Sequence, residues 1–417
     1  MRRVAAGIAV VIGASVVFGG SAAMADPVRD GEYWLDEYGI RAAWDVTRGS
    51  GVTIAVIDTG VDGSVAELQG AVVGGADFSG LGSSNGQTPV GTDGSEHGTM
   101  VASLAAGRGT SEGNGVIGSA PAASILAISI GFGEGAISSD DQIAEAVRYA
   151  VDHGADVINM SLTRNTLEWP ESWDKAFLYA MQNDVVVVAA AGNRGSGTTE
   201  VGAPATMPGV LTVAGVDVSG SASFDASSQG ITIGVSAPSE DLVGVVPGGG
   251  YVKWNGTSGA TPIVAGIVAL VRASHPDLDA ANVINRVIAT ARDAGAQGAD
   301  AIYGFGLVDA RAAVSASVPR VTANPMGDLA EWITIHRRAV ATSSPIPTAA
   351  PSSTPTSPPV VAAPSNPLGT ILPTVNQLRN VGIPLGVVVL FGALLVAVVA
   401  GAIRTAVRRS KAPSNTE

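Results

Sequence analysis

The sequence predicts an α/β fold of three layers, with a mainly parallel sheet covered by helices on both faces. Two observations carry that prediction. Short runs that are apolar almost throughout, such as "VTIAVID" (52–58) and "VVVVAAAGN" (185–193), alternate with segments of helical spacing. Strands buried on both faces read in this way, because neither set of alternating side chains meets water. The composition agrees: 46% of the 417 residues are hydrophobic but only 5% aromatic, and 54 are glycine. A core of Ala, Val, Ile and Leu with many tight turns suits stacked layers.

Taken in order, "VTIAVID" is a β-branched strand, "HGTMVASLAAG" (97–107) a helix and "ASILAIS" (123–129) a second strand. "DDQIAEAVRYAVDHG" places Ile143, Ala146, Val147 and Ala150 on one helical face, and "ADVINMSL" (155–162) follows as a strand. A helix around "WDKAFLYAMQN" leads to the strand "VVVVAAAGN". "GTSGATPIVAGIVALV" reads as a buried helix entered at Ser258, with Pro262 in its first turn, where the missing amide proton costs nothing. No fixed-period repeat is visible.

The ends of the chain predict its placement. Arg2 and Arg3, the uncharged run 4–20 and Ala23-Met24-Ala25 read as a signal peptide over 1–25. Residues 381–403 are uncharged and apolar and span about 34 Å as a helix, enough for a bilayer. Arg404, Arg408, Arg409 and Lys411 follow, so the tail 404–417 is expected in the cytoplasm and everything before the span outside, anchored in the cell membrane. The Pro-, Ser- and Thr-rich stretch 343–367 belongs to a tether placed at 321–380; residues 341–380 alone would reach roughly 120 Å as polyproline II. For 321–340 the sequence leaves two readings open, tether or packing on the domain. Between the ends, 26–50 form an N-terminal segment and 51–320 the main folded domain.

Composition also excludes. The net charge of −13 argues against a nucleic-acid partner, and the absence of cysteine removes thiol chemistry and thiolate metal sites. The glycines of "GFGEG" (131–135) are followed by no helix and acidic residue placed for a dinucleotide, so no cofactor is expected. The acidic "SSDD" (138–141) has no diagnostic calcium spacing and reads as solvated surface, and no metal site is expected.

In a parallel sheet, functional groups gather at the carboxyl ends of the strands. Asp58 ends the first strand in "DTG", His97 opens a helix in "EHGT", and Asn193 ends "VVVVAAAGN". Each alone is an ordinary turn or cap residue, as Ser258 is an ordinary helix cap. Together they supply a nucleophile, a base, a carboxylate to orient the base, and an amide to bind an oxyanion. His153 and His275 sit at helix ends and His336 beside Arg337, away from that edge.

"VIDTG", "HGT", "AAGN" and "GTS.A.P", in this order, resemble the subtilisin-like serine proteases over about residues 34–315. The resemblance implies a subtilisin-like fold, Asp58, His97 and Ser258 as triad, and Asn193 as oxyanion donor. It further implies that Gly131, Phe132 and Gly133, and Ser161, Leu162 and Thr163, lie in extended segments that pair with a protein or peptide substrate. Within the family the chain is most similar to the mycosins, on "EYWLDEYGIRAAWDVTRGSGVTIAVIDTGVD", the signal peptide, the Pro-rich tether and the single span. That narrower likeness implies a type VII secretion membrane complex as partner, an N-terminal segment packed outside the domain, and either a protease or a scaffold role. Only six residues, 26–31, separate the expected cleavage site from this segment, too few for a long propeptide. The chain departs from the family's pattern in lacking cysteine pairs, in Met100 after "HGT", in Thr163, and in Gly259, where a larger apolar residue is common. A glycine there is expected to give the turn around Ser258 extra freedom and to make a slower, more selective enzyme.

Overall fold

In the computed structural model, which describes residues 26–337 apart from Asp93 and Glu112, the chain opens with short helical turns, α1 (Pro27–Asp30), α2 (Trp34–Glu37) and α3 (Ile40–Ala43). Next come β1 (Thr53–Asp58), β2 (Val72–Asp77), α4 (His97–Ala106), β3 (Ser124–Ser129) and α5 (Ser139–Asp152). They are followed by β4 (Val157–Met160), α6 (Glu171–Gln182), β5 (Val186–Ala190), β6 (Leu211–Val216) and β7 (Ile233–Pro238). A hairpin of β8 (Leu242–Val245) and β9 (Tyr251–Trp254) leads into α7 (Thr257–Ser274), α8 (Ala280–Ala289), α9 (Ala310–Ser315) and α10 (Leu329–His336).

Seven strands form one sheet in the order β2-β3-β1-β4-β5-β6-β7, and every pairing in it is parallel. Because side chains alternate along a strand, the sheet feeds two cores. Ile54 and Val56 face one that holds α4, α7 and α8; Ala55 and Ile57 face the other, with α5 and α6. The helices therefore lie on both faces, giving the three layers of a subtilisin-like α/β fold.

Helix α7 packs along β1, β4, β5, β6 and β7. Ile263, Val264, Ile267, Val268 and Val271 are wholly buried, each contributing about 1.5–3 kcal/mol of transfer free energy. Among the described residues α7 is the helix long and apolar enough to cross a bilayer, yet 78% of that window is buried. The signal peptide expected at 1–25, the span expected at 381–403, the tail expected in the cytoplasm and the expected tether from 338 on lie outside the described residues.

The N-terminal turns do not merely lie on the surface. Trp34, Leu35 and Ile40 are fully buried in the α7 core. Glu32, 2% exposed, accepts a hydrogen bond from Ile117 N at 2.9 Å and pairs with Arg29 at 2.9 Å, while Arg29 also donates to the carbonyls of Asn114 and Gly115.

The boundary expected at 320 is too early. Asn282 Oδ1 accepts from Val321 N, Asn324 Nδ2 donates to Gly209 O, Leu329 is buried, and Trp332 packs against Trp169 with ring centroids 4.3 Å apart. Arg337 donates to Asp174 Oδ2 at 2.9 Å. Residues 321–337 thus pack on the domain rather than in the tether, because Trp332 and Arg337 find Trp169, just before α6, and Asp174 on it.

Candidate active site

Asp58 is the last residue of β1, in register with Ser129 of β3 and flanked on the other side by β4, so it stands in the middle of the sheet's carboxyl edge. Its side chain is fully buried. Thr59 N donates to Oδ1 at 2.7 Å, and His97 Nδ1 donates to Oδ1 at 2.8 Å and to Oδ2 at 3.0 Å. Donation from Nδ1 leaves Nε2 as the basic nitrogen of the neutral ring.

Local sequence explains how α4 comes so close. A Cβ at Gly98 would lie 2.2 Å from Gly60 O, so only glycine lets the helix start meet the "DTG" loop. Thr59 Oγ1 accepts from Gly98 N and donates to Ser95 O, and Thr99 Oγ1 accepts from Asp62 N. The two motifs are stitched to each other by their own threonines.

His97 titrates above its ordinary value of 6.5. Burial acts most strongly and pushes the other way, but the Asp58 charge, its hydrogen bond and Glu96 together outweigh it.

Ser258 is the second residue of α7. Gly256 occupies the cap position, and no side chain caps the helix, so Ser258 is not an N-cap. Gly256 has φ +141, and a Cβ there would lie 3.0 Å from Asn193 Nδ2. Asn193 Oδ1 accepts from Thr257 N at 2.8 Å and from Thr257 Oγ1 at 2.9 Å. Those bonds fix the amide with its NH2 end available as a donor beside the helix N-terminus, where the macrodipole also favours negative charge.

Pro262 is the sixth helical residue and not part of the first turn as expected, because the helix begins at Thr257. A proline there removes the amide that would bond the carbonyl of Ser258. Ser161 Oγ donates to that carbonyl instead, at 2.8 Å, and Ser258 Oγ in turn donates to Ser161 O at 3.1 Å. Among the described residues Ser258 has no hydrogen bond to His97.

Ser161, Leu162 and Thr163 follow β4 as irregular chain; the first two are buried, and Thr163 donates its hydroxyl to Arg164 O. The segment 129–135 departs from the expectation of an extended strand. It turns after Ile130: Gly131 N donates to Gln142 Oε1, Gly131 O accepts from Ser139 Oγ, and Gly133 N donates to the same Ser139 hydroxyl. Gly131 therefore has both backbone groups engaged inside the protein, while the Phe132 side chain is half exposed. The acidic "SSDD" caps α5 through Ser138 and pairs Asp140 with Arg164. Among the described residues no group of three or more His, Asp or Glu is placed to hold a metal.

Gly259 is also corrected. It is buried in α7, and a Cβ there would meet Leu242 Cδ1 at 2.3 Å and Trp254 Cζ2 at 3.3 Å. Close packing rather than freedom accounts for the glycine. Trp254 itself escaped the sequence reading; its only signal is an aromatic residue four positions before the serine.

A central parallel sheet with Asp, His, Asn and Ser converging on its carboxyl edge defines a class. The chain belongs to the subtilase family, whose pattern matches residues 49–306. Its particular neighbours are narrower. The structure of MycP1 from Mycobacterium smegmatis is similar with a TM-score of 0.58 and 32% identity, covering 69% of this chain and 85% of that one. MycP3 protease from the type VII (ESX-3) secretion system is similar with a TM-score of 0.58 and 32% identity, covering 68% of this chain and 88% of that one. Fervidolysin from Fervidobacterium pennivorans is 34% identical over 321 residues, 69% of this chain but 44% of fervidolysin, so the chain spans less than half the length of that relative.

Proposed function

We propose that the chain is a serine endopeptidase anchored in the cell membrane with its catalytic domain outside, a mycosin-type part of a type VII secretion system. The observation that carries the chemistry is the paired contact of His97 Nδ1 with both oxygens of buried Asp58, which leaves Nε2 basic at the edge where Ser258 stands. The family and the likeness to MycP1 and MycP3 support the narrower role.

In this reading the Ser258 Oγ–H proton passes to His97 Nε2 as Oγ bonds to the peptide carbonyl carbon, and the carbonyl electron pair moves to its oxygen. Asn193 Nδ2 and the Ser258 N–H, an orphan donor of the first helical turn, receive that oxyanion. His97 then gives its proton to the leaving amine, and the C–N bond breaks. Water, deprotonated by His97, repeats the sequence to release the acid and restore Ser258. Asp58 holds the ring and stabilises the imidazolium throughout. Ser161, Leu162, Thr163 and Phe132 border the substrate; Gly131 and Gly133 shape the turn that carries Phe132.

A second reading, a scaffold in which proteolysis is weak or dispensable, has one observation in its favour: the Ser258 hydroxyl is bonded to Ser161 O and not to His97. Fluorophosphonate labelling of the full-length protein decides between them. Labelling of wild type, lost in Ser258→Ala and His97→Ala, supports the protease; a folded wild type that does not label overturns it. Export from cells carrying Ser258→Ala then separates the roles, normal export meaning that chemistry is dispensable there.

A further inference from the structure

Trp254 ends β9 and lies across His97, with ring centroids 5.7 Å apart and planes at 78°. The indole reaches this place only because its neighbours are small. A Cβ on Gly244 of β8 would stand 3.0 Å from Trp254 Nε1 and 2.9 Å from Met100 Cβ, and one on Gly259 would stand 3.3 Å from the far side of the same ring. Leu242, paired with Trp254 across the hairpin, fills the rest of the space over Gly259.

The indole N–H is buried without a hydrogen-bond partner. A buried unpaired donor is unfavourable, so a phenyl ring would suit stability better. What an aromatic ring gains here is an edge-to-face contact with the imidazole, which a phenyl ring would keep. Asp58 fixes one edge of His97 at Nδ1, but two contacts at one nitrogen leave the ring free to pivot about that point. A wall against the ring plane removes that freedom.

We propose that Trp254 is a positioning residue for His97, seated in a slot formed by Gly244 and Gly259. The proposal rests on the assignment of His97 as the base. Gly259 and the tryptophan are then one feature, the helix leaving the space that the hairpin fills. A side chain at 259 would meet Leu242 at 2.3 Å and the indole at 3.3 Å, so Gly259 keeps the paired Leu242 and Trp254 of the hairpin in place together.

The test uses full-length protein with two readouts. The first is the downfield NMR resonance of the His97 Nδ1 proton shared with Asp58, which needs no catalysis. It is expected in wild type, broadened away in Trp254→Ala and restored in Trp254→Phe. The second is the rate of fluorophosphonate labelling, expected to fall by roughly 10–100-fold in Trp254→Ala, since small misplacements cost up to about 10²-fold, and to recover largely in Trp254→Phe. Gly259→Met, whose side chain would displace Leu242 and the indole together, is expected to slow labelling and to broaden the same resonance. An absent wild-type resonance, a resonance indifferent to Trp254→Ala, or a resonance lost equally in Trp254→Ala and Trp254→Phe would each overturn the proposal. A wild type that fails to label while its resonance responds as expected sinks the protease reading and leaves the hold of Trp254 on the ring intact.

Discussion

Ser161 and Ser258 exchange hydrogen bonds, each hydroxyl donating to the other's carbonyl, at 2.8 Å from Ser161 and 3.1 Å from Ser258. The pairing joins the end of β4 to the start of α7. It exists because Pro262 withholds the amide that would otherwise bond the carbonyl of Ser258.

Ser161→Ala leaves that carbonyl without its donor and is expected to cost about 1–3 kcal/mol in urea unfolding. Adding Pro262→Ala supplies an amide four residues along, and part of the loss should return. If the double variant is no more stable than Ser161→Ala, the proline does not explain the serine pair.

His97 gives a pH dependence with a definite sign. Its folded value lies above 6.5, so the neutral base forms only at higher pH and labelling should rise through a midpoint above 6.5. The stability that the charged pair with Asp58 contributes is full below 6.5 and disappears as pH rises through the folded value. Asp58→Asn should bring the midpoint down and cost on the order of 10⁴ in rate, by analogy with triads elsewhere. A wild-type midpoint at or below 6.5 contradicts the geometry.

Asn193 serves two partners, and variants can separate them. Asn193→Asp keeps the acceptor for Thr257 N and Oγ1 but gives up the amide donors. A rate loss of roughly 10²–10³ is expected, the size known for a related subtilisin, with the melting temperature falling less than in Asn193→Ala. Equal rates for wild type and Asn193→Asp would remove the amide from the mechanism.

Glu32 ties the N-terminal turns to the domain. Burial pushes its carboxyl up to about 8, against the Ile117 N–H and Arg29, which lower it. Because the folded state holds this proton more tightly than the unfolded chain does, stability should decline as pH rises from about 4.5 to about 8. Glu32→Gln cannot ionise. Thermal melts at pH 5 and pH 8.5 should show a drop of several degrees in wild type that is smaller in the variant; parallel drops would show that Glu32 is not the source.

The site was legible where polar residues interrupt apolar runs. Asp58 stands out because it closes β1 after the buried run Ile54–Ile57, and Asn193 because it follows the buried β5 after Ala191 and Gly192. β2 was not legible, because its glycines are present for close approach: a Cβ at Gly75 would fall 1.9 Å from Ala127 O. The turn at Gly131 depends on Gln142 and Ser139, and the seating of α10 on Trp169 and Asp174, so no local window reports either. Gly259 was misjudged for the same reason, since the ring and the leucine that exclude a side chain belong to another element.

The parallel register has a consequence for the timing of synthesis. Asp58, His97, Ser161, Asn193 and Ser258 meet only when β1, β4 and β5 lie side by side and α7 has packed along them. A ribosome-bound chain that has not yet emitted α7 carries the base and its carboxylate but neither the hydroxyl nor the helix end that receives the oxyanion. Such long-range contacts form late. The nascent polypeptide therefore holds no assembled site until α7 is seated, a latency that comes from topology alone.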